Sequence, residues 1–306
     1  MYNGGGNPQK TNTAQEGLKE TAYSTIVVAF DDSDFSRAAL AEAACRARKH
    51  GGKVIMVHAV YFDEEEFGIM PEQREKRFEK AREACSRAVK NIAGEFGITV
   101  EALVQEGEAH DVIAEVARQK SADLIAMGTY GRRGLKRLIM GSVTSGVITN
   151  APCDVMVVKK PCSACVGHYE SILVPFDGSE FSEKALEKAC RLAKTDGADI
   201  TVLYVIPRYE EMIGFMRTES IRSSIAKEAQ AIIDKAAKLA SLHNIAVKAV
   251  IEEGHTAERV VAIANLLGSD VIVMGSYGWK GVNRAIMGST TERVIMDAVC
   301  PVLAAR

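Results

Sequence analysis

No run of about 18 apolar residues, the minimum for a membrane-crossing helix, occurs in this chain of 306 residues. Its opening, MYNGGGNPQKTNTAQEG, lacks the charged start and apolar stretch of a secretory signal. A strong net charge is also missing. The 38 lysines and arginines against 40 acidic residues leave −2, which recruits neither nucleic acid nor an anionic membrane surface. The cysteines number only seven, an odd count scattered through a chain that is 47% hydrophobic. That argues against a secreted disulfide framework and for reduced thiols, with Cys45, Cys85 and Cys190 as small buried hydrophobes in helical stretches. The expectation is a cytoplasmic protein with no membrane or nucleic-acid partner. No G-x-x-x-x-G-K-[ST] segment is present either, so P-loop chemistry is not indicated.

What the chain has instead is repetition. IVVAFDDSDFSRAAL at 26–40 returns as ILVPFDGSEFSEKAL at 172–186, displaced by 146 residues. LIAMGTYGRRGLKRLIMGSVTSGVI at 124–148 returns as VIVMGSYGWKGVNRAIMGSTTERVI at 271–295, displaced by 147. A period of this length is a duplicated domain, because solenoid repeats run to roughly 20–50 residues. The expected division is an extension over 1–22, a first domain over 23–159, a linker over 160–169 and a second domain over 170–306.

Within each copy short apolar runs alternate with longer segments of helical period. In the first copy the runs are Ile26 to Phe30, Val54 to Val60, Val100 to Val104, Leu124 to Met127 and Val155 to Val158. Helical stretches between them span Ser36 to His50, Glu72 to Phe96, Ala109 to Lys120 and Ser142 to Asn150. Near-continuous β-branched runs suit strands covered on both faces, and strand-helix alternation implies right-handed crossovers. The fold class is therefore α/β, as two tandem doubly wound domains. Each holds a five-stranded parallel sheet flanked by helices.

The chemistry-bearing pattern is G-x-x-G, nine residues, then G-S: Gly128, Gly131, Gly141 and Ser142, repeated as Gly275, Gly278, Gly288 and Ser289. Each first glycine follows an apolar strand ending in Met127 or Met274, at the carboxyl end where open α/β sheets bind ligands. Glycine there permits positive φ and close backbone approach. The G-S-V-T and G-S-T-T segments open a helix whose unsatisfied amides and positive dipole end attract an anion. The same residues also serve as plain N-caps and turn glycines in proteins without a ligand. Asp31 and Asp177, at the ends of the first strands, sit beside the same crevice. They suit either a ribose hydroxyl or the capping of the next helix, which Ser33, Ser36, Ser179 and Ser182 could equally do.

These motifs resemble the universal stress protein family from about residue 24 onward, in both halves. The resemblance implies an adenine nucleotide alpha hydrolase-like fold and an ATP site in each half, with Mg²⁺ as a companion ion. It implies that Asp31 and Asp177, with their neighbours Ala29, Phe30, Pro175 and Phe176, meet ribose and adenine. Ala59 and Val205 would meet the adenine through their backbone, and Met127 and Met274 would lie by the nucleoside. The glycines with Ser142, Val143, Thr144, Ser289, Thr290 and Thr291 would hold phosphates. The family also pairs through its last strand, which would join the two halves as an internal pseudo-dimer; a homodimer is compatible with the same resemblance.

The first half departs from the family pattern at Ala29, where the second has Pro175, and at Ser145, where the second has Glu292. If a single site fills, the second is expected. Arg132, Arg133, Lys136 and Arg137 crowd one glycine loop and Trp279, Lys280 and Arg284 the other, as phosphate partners or as solvated loops. Cys162, Cys165 and His168 form C-x-x-C-x-x-H in the linker, an incomplete zinc pattern. His110 and His255 have no recognisable nucleophile beside them. A slow or absent hydrolysis is expected, since the one acidic pair suited to Mg²⁺ is Asp31-Asp32. The functional expectation is an ATP-binding regulatory protein, with an adenylylating enzyme and a linker-thiol scaffold as alternatives.

Overall fold

The computed structural model describes residues 23–62, 71–129, 140–160, 167–207, 219–276 and 287–306. The first half runs β1 (Thr25–Ala29), α1 (Asp34–His50), β2 (Lys53–Val60), α2 (Pro71–Phe96), β3 (Val100–Glu106), α3 (Ala109–Gln119), β4 (Leu124–Gly128), α4 (Ser142–Asn150) and β5 (Asp154–Val158). The second repeats it as β6 (Ser171–Pro175), α5 (Glu180–Asp196), β7 (Asp199–Pro207), α6 (Glu219–Leu242), β8 (Val247–Gly254), α7 (Thr256–Leu267), β9 (Val271–Gly275), α8 (Ser289–Asp297) and β10 (Val302–Ala305). The apolar runs become strands and the helical-period stretches helices, with limits shifted by a residue or two.

All ten strands join one sheet in the order β3-β2-β1-β4-β5-β10-β9-β6-β7-β8. Within each half every pairing is parallel, and β5 and β10 meet antiparallel, Met156 opposite Leu303. The two last strands thus pair as the resemblance implied. One apolar cluster on one face of the sheet runs through both halves, from Ile26 and Leu40 by way of Met156 to Leu186 and Leu303. A second covers the other face, from Ile125 and Ile148 to Ile272 and Ile295. The expectation that strands are covered on both faces holds for β1 and β4 and fails at the sheet's ends. In β3, Glu101 and Ala102 are exposed, and in β8 Lys248, Ala249 and Ile251 are, because an edge strand has a neighbour on one side and a helix over one face.

Helices α1 and α5 begin and end alike. Ser33 and Ser179 accept the amide hydrogens of Ser36 and Ser182, and Gly51 and Gly197 close the helices at φ 77° and 80°. Position 32 shows what the repeat tolerates. Asp32 stands at φ 66° where the second copy has Gly178 at φ 77°, aspartate being one of the few residues that accept this region.

The joint between the halves is polar and buried. Arg46 of α1 is bonded through both terminal nitrogens to Asp196, at 3.0 and 3.4 Å, and these side chains are 3% and 0% exposed. The Arg46 guanidinium also covers the Tyr169 ring at 4.5 Å. Tyr169 donates its hydroxyl to Glu42 at 2.9 Å and its amide to Asp196 at 3.0 Å. Its counterpart one repeat earlier, Tyr23, donates to Asp154, which also takes Lys188 of the second half at 2.9 Å. Burial and the adjoining carboxylate raise both phenols, which keeps them neutral donors.

His50 completes the joint. Its Nε2 faces the Gly167 carbonyl at 3.0 Å and Asp196 at 3.1 Å, two groups that can only accept, so Nε2 carries a hydrogen. Burial and the Arg46 charge push the His50 pKa down, against the pull of Asp196. The unfolded chain therefore binds this proton more readily. His50's contribution is present above about pH 6.5 and is lost as pH falls towards the lower folded value. Urea midpoints measured from pH 7 down to 5 should fall less steeply for His50→Gln than for the parent. An identical slope would assign the titration to another group.

Candidate functional site

In the first half the strand order reverses direction between β1 and β4, which lie side by side with Val28 opposite Ala126. Helix α1 leaves β1 on one face of the sheet, and α4 follows β4 on the other. Two helix N-termini therefore flank a crevice at the carboxyl ends of β1 and β4, the place where doubly wound sheets take ligands. The second half repeats this with β6, β9, α5 and α8.

Gly141 and Gly288 are the N-caps of α4 and α8, and neither helix has a side-chain cap. The first helical bonds run from Ser145 to the Gly141 carbonyl and from Glu292 to the Gly288 carbonyl, both at 3.0 Å. The amides of Ser142, Val143 and Thr144, and of Ser289, Thr290 and Thr291, precede those bonds and have no acceptor within their helix. Ser142 and Ser289 are exposed, Val143 and Thr290 half-buried, and Thr144 and Thr291 buried. The last two hydroxyls are committed internally: Thr144 donates to the Gly128 carbonyl at 3.1 Å and Thr291 to the Gly275 carbonyl at 2.9 Å. They fasten the helix start to the strand end, and only their amides remain to serve an anion.

Gly128 and Gly275 have a different reason to be glycine from the one expected. Neither has positive φ. A Cβ on Gly128 would lie 2.6 Å from the Phe35 Cβ and 2.9 Å from the Phe35 carbonyl carbon. On Gly275 it would lie 2.7 Å from the Phe181 Cβ and 2.9 Å from the Phe181 oxygen. What approaches is the protein's own helix, α1 or α5, whose first turn crosses the strand end. Gly131 and Gly278 lie outside the described residues, as do Arg132, Arg133, Lys136, Arg137, Trp279, Lys280 and Arg284.

Asp31 and Asp177 serve the helix start. Each accepts the amide and, at 2.6 Å, the hydroxyl of the capping serine, Ser33 or Ser179, and so orients the cap. Asp32 faces Arg37 at 2.9 Å and Arg87 at 3.7 Å. The pair expected to suit Mg²⁺ is thus turned towards protein donors. Ala29, Phe30, Phe176, Met127 and Met274 are buried and Pro175 is half-buried, so beside the crevice these residues supply backbone and core. Ala59 helps to line a 220 Å³ cavity at the end of β2, with His58, Tyr61, Arg77 and Lys80, while its counterpart Val205 is buried. That volume is below the roughly 300–1,000 Å³ of a pocket that takes a drug-sized ligand whole.

Two residues here escaped the reading of the sequence. Thr129 and Ser276 directly follow the first glycines and are each 1% exposed. Neither Thr129 Oγ1 nor Ser276 Oγ has a hydrogen-bond partner among the described residues. Their carbonyls accept the amides of Gly141 and Gly288. The signal was available in the repeat, since a hydroxyl residue stands at both positions.

Cys162 and Cys165 lie outside the described residues, and His168 Nε2 lies 3.8 Å from Glu170. Among the described residues no cluster of three or more metal-ligating side chains occurs. Cys45 is buried as expected but is disulfide-bonded, which corrects its reading as a reduced thiol. Cys85 and Cys190 are buried thiols outside any disulfide, as expected. No described helix is long and apolar enough to cross a membrane.

A doubly wound α/β domain built twice, with an uncapped helix start at each switch point and the last strands joined, defines a tandem open-sheet protein with two like crevices. The model of the universal stress protein family matches residues 22–159 and 168–306, and the chain belongs to that family. A universal stress protein of Methanocaldococcus jannaschii is 38% identical over 148 residues, covering 46% of this chain and 85% of its own. One from Mycolicibacterium smegmatis is 26% identical over 296 residues, covering 92% of this chain and 96% of its own, so the tandem arrangement is shared. The crystal structure of a universal stress protein from Archaeoglobus fulgidus aligns with TM-score 0.71 at 22% identity, over 94% of this chain and 97% of that one, and shares the fold.

Proposed function

We propose that each half binds an adenine nucleotide, ATP by the family resemblance, and that occupancy regulates the protein's interactions without rapid turnover. The observation that carries this is the pair of glycine-capped helices, α4 and α8, whose first-turn amides have no cap. Charge-assisted hydrogen bonds contribute roughly 1.5–3 kcal/mol each. Three or four to a polyphosphate would supply much of the about 8 kcal/mol of a micromolar complex. The buried hydroxyls of Thr129 and Ser276 support the fit, since a polar group that deep is ordinarily satisfied. Bound nucleotide would bring charge and an adenine ring; the protein's residues bind and orient it. A regulatory role in the cytoplasm is part of the same reading. The domain limits of 23–159 and 170–306 are offered with the same reading.

Protein purified without added nucleotide should release ATP or ADP on denaturation, identified by chromatography. In a variant carrying both Ser142→Trp and Ser289→Trp that content should fall at least tenfold, while circular dichroism stays at the parent's. Full nucleotide content in that variant, or no heat on adding ATP to stripped parent protein, sinks the reading.

A further inference from the structure

The last strands, β5 and β10, pair with each other inside the chain, so the ten-stranded sheet ends at β3 and at β8. Each end strand pairs with one described neighbour, β2 or β7, and its other side is a row of backbone donors and acceptors. The two ends differ although the halves are copies. Strand β3 carries Glu101, Gln105 and Glu106, with Glu101 held by Lys120 and Glu106 by Arg74, both at 2.6 Å. Strand β8 carries Lys248, Glu252 and Glu253, and its Ile251 is the one exposed large aliphatic side chain on any described strand. Leu242 and Leu266, in the last turns of the helices α6 and α7 that pack on β8, are exposed as well. Among the described residues, no exposed large hydrophobic side chain lies on β3, α2 or α3, the corresponding elements of the first half.

The spacing of charge on β8 selects a partner for this edge. Antiparallel strands place residues of the same face opposite each other, so a two-fold axis normal to the sheet passes by a residue and its own copy. The residues nearest the middle of Val247–Gly254 are Val250 and Ile251. With the axis at Val250, Lys248 of each copy stands opposite Glu252 of the other, and exposed Ile251 stands opposite exposed Ala249. With the axis at Ile251, Lys248 faces Gly254 and Glu253 faces Ala249, and no charge is answered. The Val250 register also extends pairs present within each copy, since Lys248 Nζ lies 2.6 Å from Asp199 and Arg259 lies 4.0 Å from Glu252. Charges then alternate across the edge as Asp199, Lys248, Glu252, Arg259. A lysine on an edge strand ordinarily repels a like strand; here the two-fold relation answers it with a glutamate. On β3 the same construction about Leu103 or Val104 brings no opposite charges together, because that strand has no basic residue. We propose that β8 is a homodimer interface: two copies of this chain pair antiparallel along Val247–Gly254 with Val250 opposite Val250, which continues the sheet from one molecule into the next. A closed two-fold contact of this kind stops at two copies, and it does not depend on the nucleotide reading.

The test is sedimentation equilibrium of the full chain, with the charges of the edge exchanged. Over a rising concentration series the parent should approach twice the 33.1 kDa of one chain. Lys248→Glu sets glutamate against glutamate and Glu252→Lys sets lysine against lysine, so each should weaken dimerisation about tenfold or more while circular dichroism stays at the parent's. The double variant Lys248→Glu/Glu252→Lys restores opposite signs and should recover the parent's dimer. Val250→Cys places two thiols beside the axis, where Cα atoms about 4.5–5.5 Å apart suit a disulfide. Mild oxidation should link two chains through that position and not through a native cysteine, as read by peptide mass mapping. A parent that stays at 33.1 kDa throughout overturns the interface, as do single charge variants that dimerise like the parent. Failure of the double variant to recover, or no link in Val250→Cys, overturns the register. Masses above twice that of the chain show β8 meeting β3 head to tail and overturn the closed pair.

Discussion

Replacing Asp196 by alanine should cost about 3–5 kcal/mol of folding stability, because it strands the Arg46 guanidinium without its carboxylate in a dry interior. Arg46 is 3% exposed and Asp196 0%, so water cannot take over the missing acceptor. The same change deprives the Tyr169 amide and His50 Nε2 of an acceptor. Lys248 and Asp199 make a shorter pair, 2.6 Å, yet both side chains are about 70% exposed. Asp199→Ala should therefore cost no more than about 1 kcal/mol. Urea unfolding of the two variants side by side checks this. Equal losses would show that pair length, not desolvation, governs the joint.

Gly128→Ala should be the next most damaging change, at about 1–3 kcal/mol from overpacking, and Gly275→Ala should match it. The new methyl would meet the Phe35 Cβ at 2.6 Å and the backbone carbon at 2.9 Å, neither of which is the far end of a flexible side chain. Since α1 must lift at its first turn, Asp31 and Ser33 move with it, and nucleotide content in that half should fall together with stability. Adding Phe35→Ala leaves both offending atoms in place, so it should not restore the loss. Recovery to parental stability in Gly128→Ala/Phe35→Ala, read by thermal unfolding, would show that the contact was with the ring and not the main chain.

Much of this architecture was legible in the chain. The strands and helices announced themselves because a segment covered on both sides must be apolar throughout, while a helix packed on one face is apolar every third or fourth residue. The helix starts of α4 and α8 were equally plain, since glycine followed by serine at the head of an apolar-periodic stretch signals a terminus. The reason for Gly128 was not. A glycine required by positive φ and a glycine required by a neighbouring helix look alike until the neighbour's position is known. Asp31 posed the same difficulty, because a carboxylate two residues before a serine suits a ribose or a cap equally well. The structure shows it bonded to Ser33.

Local pattern by itself determined the duplication, the alternation of elements and the placing of both glycine motifs at strand ends, since each depends on residues near one another in the chain. The pairing of β5 with β10 was implied by family resemblance and not by local pattern, and only the tertiary structure decided that Arg46 meets Asp196 across 150 residues of chain and that Cys45 is bonded. Those contacts arise where two surfaces close together in space, and no periodicity along the chain encodes a partner that far away.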